Sequence, residues 1–226
     1  MNAPIALARR RPDRAGRRAL ALFGRSGLTA RAHVWIRWLT APFPCVEALL
    51  PRAGRVLEVG CGHGLFCGYA ALAAPERELV GVDIDSAKVA VGTAALTPLA
   101  PQVRLLAITP GQLPPGPWDA VVVLDVLYLL DEPAQDALLA SCVSELAPDG
   151  VLVVKEMSDR PAWKAGWNRL QETLAVRVLR ITAGDAVHPV STERLQSTLA
   201  GLGLQPHHVR MDQARVHPHA AVLGRR

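Results

Sequence analysis

A glycine-rich segment follows a short apolar run in the first half of the chain. Residues 56–59 suit a buried strand, and the glycine segment Gly60–Gly64 (GCGHG) precedes an apolar pattern of helical spacing. Glycines allow a sharp turn and the close approach of a ligand, and the first turn of a helix offers free N–H groups to an anion. This succession of strand, turn and helix predicts a nucleotide-binding site.

An acidic residue ends the next predicted strand, ELVGVDI, residues 78–84. Asp83 lies 19 residues after Gly64, close to the spacing of about 20 at which a carboxylate binds ribose hydroxyls. Because the strands of a doubly wound sheet end at a common edge, we expect this carboxylate to lie beside the glycine loop. The following Asp85 suits the N-cap of a helix over residues 86–96.

The glycine spacing separates two classes of nucleotide site. A dinucleotide fingerprint, G-x-G-x-x-G, needs its third glycine at position 65, which is Leu65. Here the third glycine is Gly64, and Glu58 stands two residues before Gly60. The pattern E-x-G-x-G-x-G resembles motif I of the class I S-adenosylmethionine (SAM)-dependent methyltransferases.

Two later segments extend this resemblance to about residues 54–156. The run WDAVVVLDVLYLL is similar to the family's F-D-x-V…L-x-x-L element, with Trp118 for Phe, and predicts a fourth strand over residues 120–130. The run LAPDGVL resembles L-x-P-G-G-x-L, with Asp149 for the first Gly. The resemblance implies an α/β, Rossmann-like, doubly wound and mostly parallel seven-stranded sheet with an antiparallel last strand.

The same resemblance implies how the rest of the chain is organised. Residues 1–50 form a basic N-terminal arm and helices, and residues 51–226 form the methyltransferase domain, with a helical cap inserted after strand five at about residues 157–190. In this family N-terminal helices cover the cofactor pocket. His33, Trp35 and Arg37 therefore face the cofactor or the acceptor, unless the helix simply packs onto the sheet.

The resemblance also implies a SAM site and its residues. The predicted cofactor-binding residues are Glu58, Gly60, Cys61, Gly62, Gly64, Asp83, Ile84, Thr109, Gln112, Leu113 and Asp125. Family members often have an acidic residue beside the adenine amino group, where this chain has Thr109 and Gln112. A hydroxyl or an amide can make equivalent hydrogen bonds.

Catalytic groups are expected where strands four and five end. Asp125 orients the acceptor or hydrates the sulfonium, Tyr128 packs its ring on that cation or on a helix, and Glu156 acts as a general base. Further candidates for the base are His63, His188, His217 and His219. The predicted substrate residues, mostly in the cap, are Trp163, Lys164, Trp167, Asn168 and His188, although such tryptophans also suit a core.

Charge is spread unevenly over the 226 residues, of which 50% are apolar. Nine arginines fall in the first 40 residues against one acid, Asp13, so the net charge of +5 belongs to this segment. This basic segment suits three roles: a solvated arm, contact with a membrane surface or an acidic partner, or contact with nucleic acid. Four cysteines without a C-x-x-C pair indicate reduced thiols and a cytoplasmic protein, and no metal site is expected.

The expected function is methyl transfer from SAM to a small or carrier-bound acceptor, through a phenol, hydroxyl or carboxyl oxygen. The alternatives are an NAD(P)-dependent oxidoreductase and a non-catalytic SAM-binding protein. RNA methylation is disfavoured, because the segment after strand four reads Asp125-Val126-Leu127-Tyr128 and not [DN]-P-P-[YF]. The oligomeric state is left open.

Overall fold

A single mixed sheet organises the chain in the computed structural model, which describes residues 11–157, 188, 190–211 and 219–225. Its strands are β1 (Ala53–Val59), β2 (Glu76–Asp83), β3 (Val103–Ala107), β4 (Trp118–Leu124), β5 (Leu146–Met157), β6 (Gln205–Arg210) and β7 (His219–Arg225). Their order is β3-β2-β1-β4-β5-β7-β6, and β7 runs antiparallel to both of its neighbours. The predicted fold class, with an antiparallel last strand, is confirmed.

Helices cover both faces of this sheet. They are α1 (Arg14–Leu22), α2 (Leu28–Thr40), α3 (Phe43–Glu47), α4 (Leu65–Ala73), α5 (Ser86–Leu96), α6 (Glu132–Ser144) and α7 (Thr192–Gly201), with 3₁₀ turns at Phe23–Arg25, Thr97–Leu99 and Leu127–Leu129. Side chains from α1 to α5 share one core cluster, and those from α6 and α7 share the other. Successive residues of β4, such as Val121 and Val122, alternate between the two clusters. Burial on both faces explains the continuous apolar runs of the central strands.

The fourth strand is shorter than the prediction of residues 120–130. It ends at Leu124, since Asp125 has a φ of 55° and the chain then enters the 3₁₀ turn Leu127–Leu129. The apolar pattern continues past the strand because Leu127 is fully buried in the second core cluster. The apolar pattern therefore extends past the end of the strand, and the strand predicted from it was too long.

The N-terminal helices pack on the face that carries α4. Asp13 caps α1 by accepting a hydrogen bond from Gly16 N at 2.7 Å, and it also accepts one from the Tyr69 hydroxyl at 3.1 Å. On α2, the Trp38 ring packs edge-on against Tyr69, with ring centroids 5.2 Å apart. These contacts hold α1 and α2 against α4, the helix that follows the glycine loop.

Two sequence-based assignments concern residues outside the described ranges. The predicted cap falls mostly there, with its candidate residues Trp163, Lys164, Trp167 and Asn168, as does His217. Within the described ranges, no helix combines the length and the apolar character that a membrane crossing requires.

Candidate active site

The carboxyl ends of β1, β2, β4 and β5 meet at one edge of the sheet. Since β1 lies between β2 and β4, the chain connections diverge at this point, which is where doubly wound folds bind their ligands. Gly60 N and Cys61 N donate to Val82 O at 2.8 and 3.0 Å, and Gly64 N donates to Cys61 O at 2.8 Å. The glycine loop is thus held against the end of β2.

All three glycines of the loop have positive φ angles, of 75° at Gly60, 55° at Gly62 and 73° at Gly64. L-residues with a Cβ rarely adopt this region. A Cβ at Gly64 would lie 2.6 Å from Leu105 Cδ1, whereas a Cβ at Gly62 would meet nothing within 4 Å. The loop is therefore packed at Gly64 and open at Gly62, where a ligand can reach the backbone.

Asp83 lies directly against this open position. Its Oδ2 accepts a hydrogen bond from Gly62 N at 2.7 Å, and its Oδ1 accepts one from Asp85 N at 2.8 Å. A carboxylate has about four acceptor positions, so these bonds leave capacity for a ligand's hydroxyl groups. The structure thus brings Asp83 and the glycine loop together as the motif spacing predicts.

The predicted adenine-side residues surround Asp83. Ile84, the next residue, is largely exposed. Ile108 N donates to Asp83 O at 3.0 Å, which brings the loop after β3 alongside. In that loop Thr109 and Gln112 are exposed and joined by a turn hydrogen bond of 3.1 Å, and Leu113 is half-buried.

Glu58 lies beneath the loop and not on its open side. It is buried, and its Oε2 accepts hydrogen bonds from Cys67 N at 3.1 Å and Cys67 Sγ at 2.9 Å. Burial raises the pKa of Glu58 to about 7, and the hydrogen bonds from Cys67 oppose this rise. Burial likewise raises the pKa of the Cys61 thiol. Glu58 therefore ties the end of β1 to the first turn of α4.

Asp125 stands between two cations. Its Oδ2 is 2.6 Å from Arg37 Nη1, and its Oδ1 accepts a hydrogen bond from Lys155 Nζ. Arg37 Nη2 also donates to Leu124 O at 3.2 Å. Lys155 is 1% exposed, and burial lowers its pKa, an effect that the neighbouring Asp125 opposes and Arg37 reinforces. The two cations thus hold the Asp125 carboxylate through charge-assisted hydrogen bonds.

Glu156, the next residue on β5, has a different environment. Its Oε1 accepts hydrogen bonds from Val126 N at 3.1 Å and Leu127 N at 2.9 Å. Its buried Oε2 has no hydrogen-bond partner among the residues that the structure describes. Burial, with the charge of Asp125, raises the pKa of Glu156 to about 8. A carboxyl group with such a pKa can exchange a proton close to neutral pH.

The second helix, α2, forms one wall of the candidate active site. His33 and Arg37, four residues apart, share one face of α2, and the His33 ring lies 5.0 Å from that of His63 in the glycine loop. Burial and the nearby His63 and Lys88 lower the pKa of His33 to about 4, which keeps the imidazole neutral. Trp35 lies on another face and is 49% exposed.

Tyr128 and His188 are brought together beside this wall. Tyr128 is half-buried, and its carbonyl accepts a hydrogen bond from His188 N at 2.8 Å. Gln135 Nε2 donates to His188 O at 3.2 Å. Of His219 the structure describes the backbone, which lies at the start of β7 opposite Met157.

The predicted site residues did not include Lys155. For Arg37, the sequence left open whether its helix faces the cofactor or acceptor or simply packs onto the sheet. Each carries a signal in the sequence. Lys155 interrupts the apolar run VLVVKE of a strand covered on both faces, where a charged group requires a partner. Arg37 follows His33 by one helical turn, so the two must share a face.

Other features of the surface lie apart from this site. A cavity of about 610 Å³ lies near the amino ends of β1 and β4, where Ala53, Gly54 and Asp119 line it. None of the predicted site residues lines that cavity. Within the described part of the chain, no group of three or more His, Cys, Asp or Glu side chains is arranged to hold a metal ion.

Comparison with known proteins gives matches to methyltransferases. Residues 56–150 match the family model described as a methyltransferase domain. A ribosomal protein L11 methyltransferase of Bordetella parapertussis is 33% identical over 137 residues, which are 61% of this chain and 40% of that protein. The chain thus spans about two fifths of that relative's length.

Solved structures show the same fold. An O-methyltransferase family protein from Burkholderia thailandensis superposes with a TM-score of 0.69 at 16% identity, covering 90% of this chain and 61% of that one. Magnesium protoporphyrin IX methyltransferase from Synechocystis, with bound S-adenosylhomocysteine, has a TM-score of 0.63 at 16% identity, covering 94% and 99%.

These matches bear on the sequence-based predictions. The predicted family resemblance is confirmed, and the methyltransferase match agrees with the predicted enzyme class and with SAM as its cofactor. Residues 56–150 are thus similar to the methyltransferase domain family, and the sheet that they help to form has the fold of the solved methyltransferases.

Proposed function

We propose that this chain transfers a methyl group from SAM to an oxygen atom of a small or carrier-bound acceptor. The observation that carries this proposal is Glu156, a buried carboxyl group with one oxygen fixed by two backbone amides and the other unpartnered among the described residues. Oxygen acceptors such as phenols and hydroxyl groups lose a proton on methylation, and a base with a pKa near neutrality serves that step.

The residues at the sheet edge fit the proposed cofactor. Gly62 leaves its side of the loop open, and Asp83 beside it retains acceptor capacity for a ribose diol. Ile84, Thr109, Gln112 and Leu113 would then lie along the adenine. When bound, SAM supplies an electrophilic methyl group on a positively charged sulfur.

The chain's own groups then position the acceptor and handle its proton. Glu156 would take the proton from the acceptor oxygen as that oxygen forms its bond to the methyl carbon and the carbon–sulfur bond breaks, with S-adenosylhomocysteine as the leaving group. It would release the proton to water afterwards. Asp125, held by Arg37 and Lys155, would fix the turn that follows β4 and orient the acceptor. An in-line displacement needs little more than correct distance, correct angle and the exclusion of water.

The remaining proposals concern location and partners. The O-methyltransferase and porphyrin methyltransferase neighbours support a small-molecule acceptor. We propose a cytoplasmic protein whose exposed N-terminal arginines, such as Arg14, Arg17 and Arg18, contact an acidic surface.

Calorimetric titration with SAM, S-adenosylhomocysteine and NAD(P)H tests the cofactor. We expect micromolar binding of the two sulfur compounds only. Turnover is then measured by S-adenosylhomocysteine release with phenolic and carboxylic acceptors. Binding of NAD(P)H alone would support the oxidoreductase alternative, and binding of SAM without turnover on any acceptor panel would favour the non-catalytic one.

A further inference from the structure

The second helix presents three different faces. With about 100° between successive residues, Val34 and Trp38 project together into the core, where both are buried. His33 and Arg37 project together into the candidate active site. The third face is turned away from both and is solvent-exposed.

This third face is apolar. Its large side chains and their exposed fractions are Leu28 at 80%, Trp35 at 49%, Ile36 at 51% and Leu39 at 50%. We call these four residues the outer stripe of α2. Trp35, Ile36 and Leu39 lie within about one turn of each other, and Leu28 lies about two turns before Trp35, so the four residues fall on one side of the helix. An exposed apolar band of this kind marks an interaction surface.

Exposed arginines lie on α2 itself and on the segment that precedes it in the chain. The exposed arginines on α1, on the turn after it and on α2 are Arg14, Arg17, Arg18, Arg25 and Arg31. The only acid in the first 40 residues is Asp13, and its carboxylate is already bonded to Gly16 N and the Tyr69 hydroxyl. The partner of this surface should therefore be anionic as well as apolar.

We propose that the outer stripe and these arginines dock the protein on an anionic lipid bilayer. A helix with Trp and aliphatic residues on one side and arginines flanking it is suited to lie in the plane of a membrane interface. A second copy of the chain fits the surface poorly. In a two-fold dimer the same patch meets itself, so two positively charged surfaces would be brought close together.

Docking would place the active site close to the bilayer. The outer stripe and the pair His33 and Arg37 lie on opposite sides of one helix, whose diameter with side chains is about 10 Å. An acceptor held in the lipid interface would thus be presented near the pocket. The docking itself does not depend on methyl transfer, so the two proposals can fail separately.

Co-sedimentation of the full chain with vesicles tests the proposal. Vesicles of phosphatidylcholine with about one third phosphatidylglycerol are compared with vesicles of phosphatidylcholine alone. We expect binding to the anionic vesicles that weakens as salt is added. A variant with Arg14, Arg17 and Arg18 changed to Ser should bind about a hundredfold more weakly.

The apolar contribution is tested by a variant carrying Trp35→Ser, Ile36→Ser and Leu39→Ser. These side chains are half exposed, so the fold should persist, as circular dichroism can verify. We expect at least about a tenfold loss of vesicle binding. The matched controls are Leu106→Ser and Arg104→Ser, which change an exposed apolar and an exposed basic residue on β3. Both should bind as the unaltered chain does.

Three results would overturn the proposal. The unaltered chain could fail to bind anionic vesicles, or the outer-stripe variant could bind them equally well. Alternatively, the chain could sediment as a dimer that the outer-stripe variant dissociates, without any vesicle binding. That result would assign the surface to a second copy.

Discussion

Arg37 and Asp125, 88 residues apart in the sequence, form an ion pair of 2.6 Å across the mouth of the candidate active site. Lys155 binds the other oxygen of the same carboxylate. The two cations hold Asp125 where its backbone has a φ of 55°, a conformation that few residues with a side chain adopt. The turn after β4 is thus fixed by charge as well as by packing.

Removal of the carboxylate charge should destabilise the protein strongly. Asp125→Asn keeps a side chain that tolerates positive φ but leaves Lys155 buried without its counter-charge. We expect a loss of about 3–5 kcal/mol in the free energy of unfolding, measured by urea titration. The double variant Asp125→Asn with Lys155→Met should recover part of this loss, because it also removes the buried cation.

An exposed ion pair supplies the control for that experiment. Arg194 and Asp136 are 2.8 Å apart, with the Asp136 side chain about half exposed. Asp136→Asn should cost no more than about 1 kcal/mol. Equal losses for Asp125→Asn and Asp136→Asn would contradict the structural role of the buried cluster.

Cofactor affinity should depend on Asp83. Asp83→Ala removes the proposed acceptor of the ribose hydroxyls and should weaken SAM binding by about 1.5–3 kcal/mol, as measured by calorimetry. Asp85→Ala is the matched control, since Asp85 caps α5 through Ala87 N and Lys88 N. It should lower stability by about 1 kcal/mol and leave SAM affinity unchanged. Unchanged affinity in a folded Asp83→Ala variant would reject the ribose contact.

Substitutions in the glycine loop should distinguish an effect on SAM binding, at the open position Gly62, from an effect on stability, at the packed position Gly64. Gly62→Ala introduces a Cβ at positive φ with free space around it, which should cost about 1–2 kcal/mol of stability. That Cβ would occupy the ligand's approach and reduce SAM affinity at least about tenfold. Gly64→Ala should lower the melting temperature more, because its Cβ would collide with Leu105. If Gly62→Ala binds SAM normally, the ligand does not approach there.

Activity should rise with pH until Glu156 is ionised. A general base works only when deprotonated, so with a pKa of about 8 the value of log kcat should climb about one unit per pH unit below pH 8 and then level off. Glu156→Gln should lower kcat and abolish the climb, which is measured from pH 6 to 9.5 with any acceptor that supports turnover. A profile in Glu156→Gln that still rises with the same midpoint would assign the base to another group.

Local patterns predicted the elements that position the site. The helix expected at residues 86–96 is α5 with the same bounds, since its Asp85 cap and apolar positions are both local signals. The glycine loop and Asp83 meet as predicted, because sheet topology brings those strand ends together. In contrast, β4 was predicted too long. An apolar residue such as Leu127, which is buried, fits the sequence pattern equally well in a strand and in the turn that follows it.

The ion-pair cluster could not be derived in the same way. Arg37, Asp125 and Lys155 come from three distant segments, and no local pattern states that their side chains converge. A buried lysine requires a counter-charge but does not identify it. The packing of α2 against α4, through Trp38 and Tyr69, helps to bring Arg37 to the sheet edge.

The three residues of this cluster are far apart in the sequence, and this affects the order in which their contacts form during synthesis. A ribosome delivers α2 first, while Asp125 and Lys155 emerge only after some hundred further residues. During that interval Arg37 cannot form its ion pair with Asp125, and the outer stripe of α2 is already exposed. The attachment of α2 should therefore be completed only when β5 has been synthesised and enters the sheet, and until then the outer stripe is accessible to chaperones or to a lipid surface.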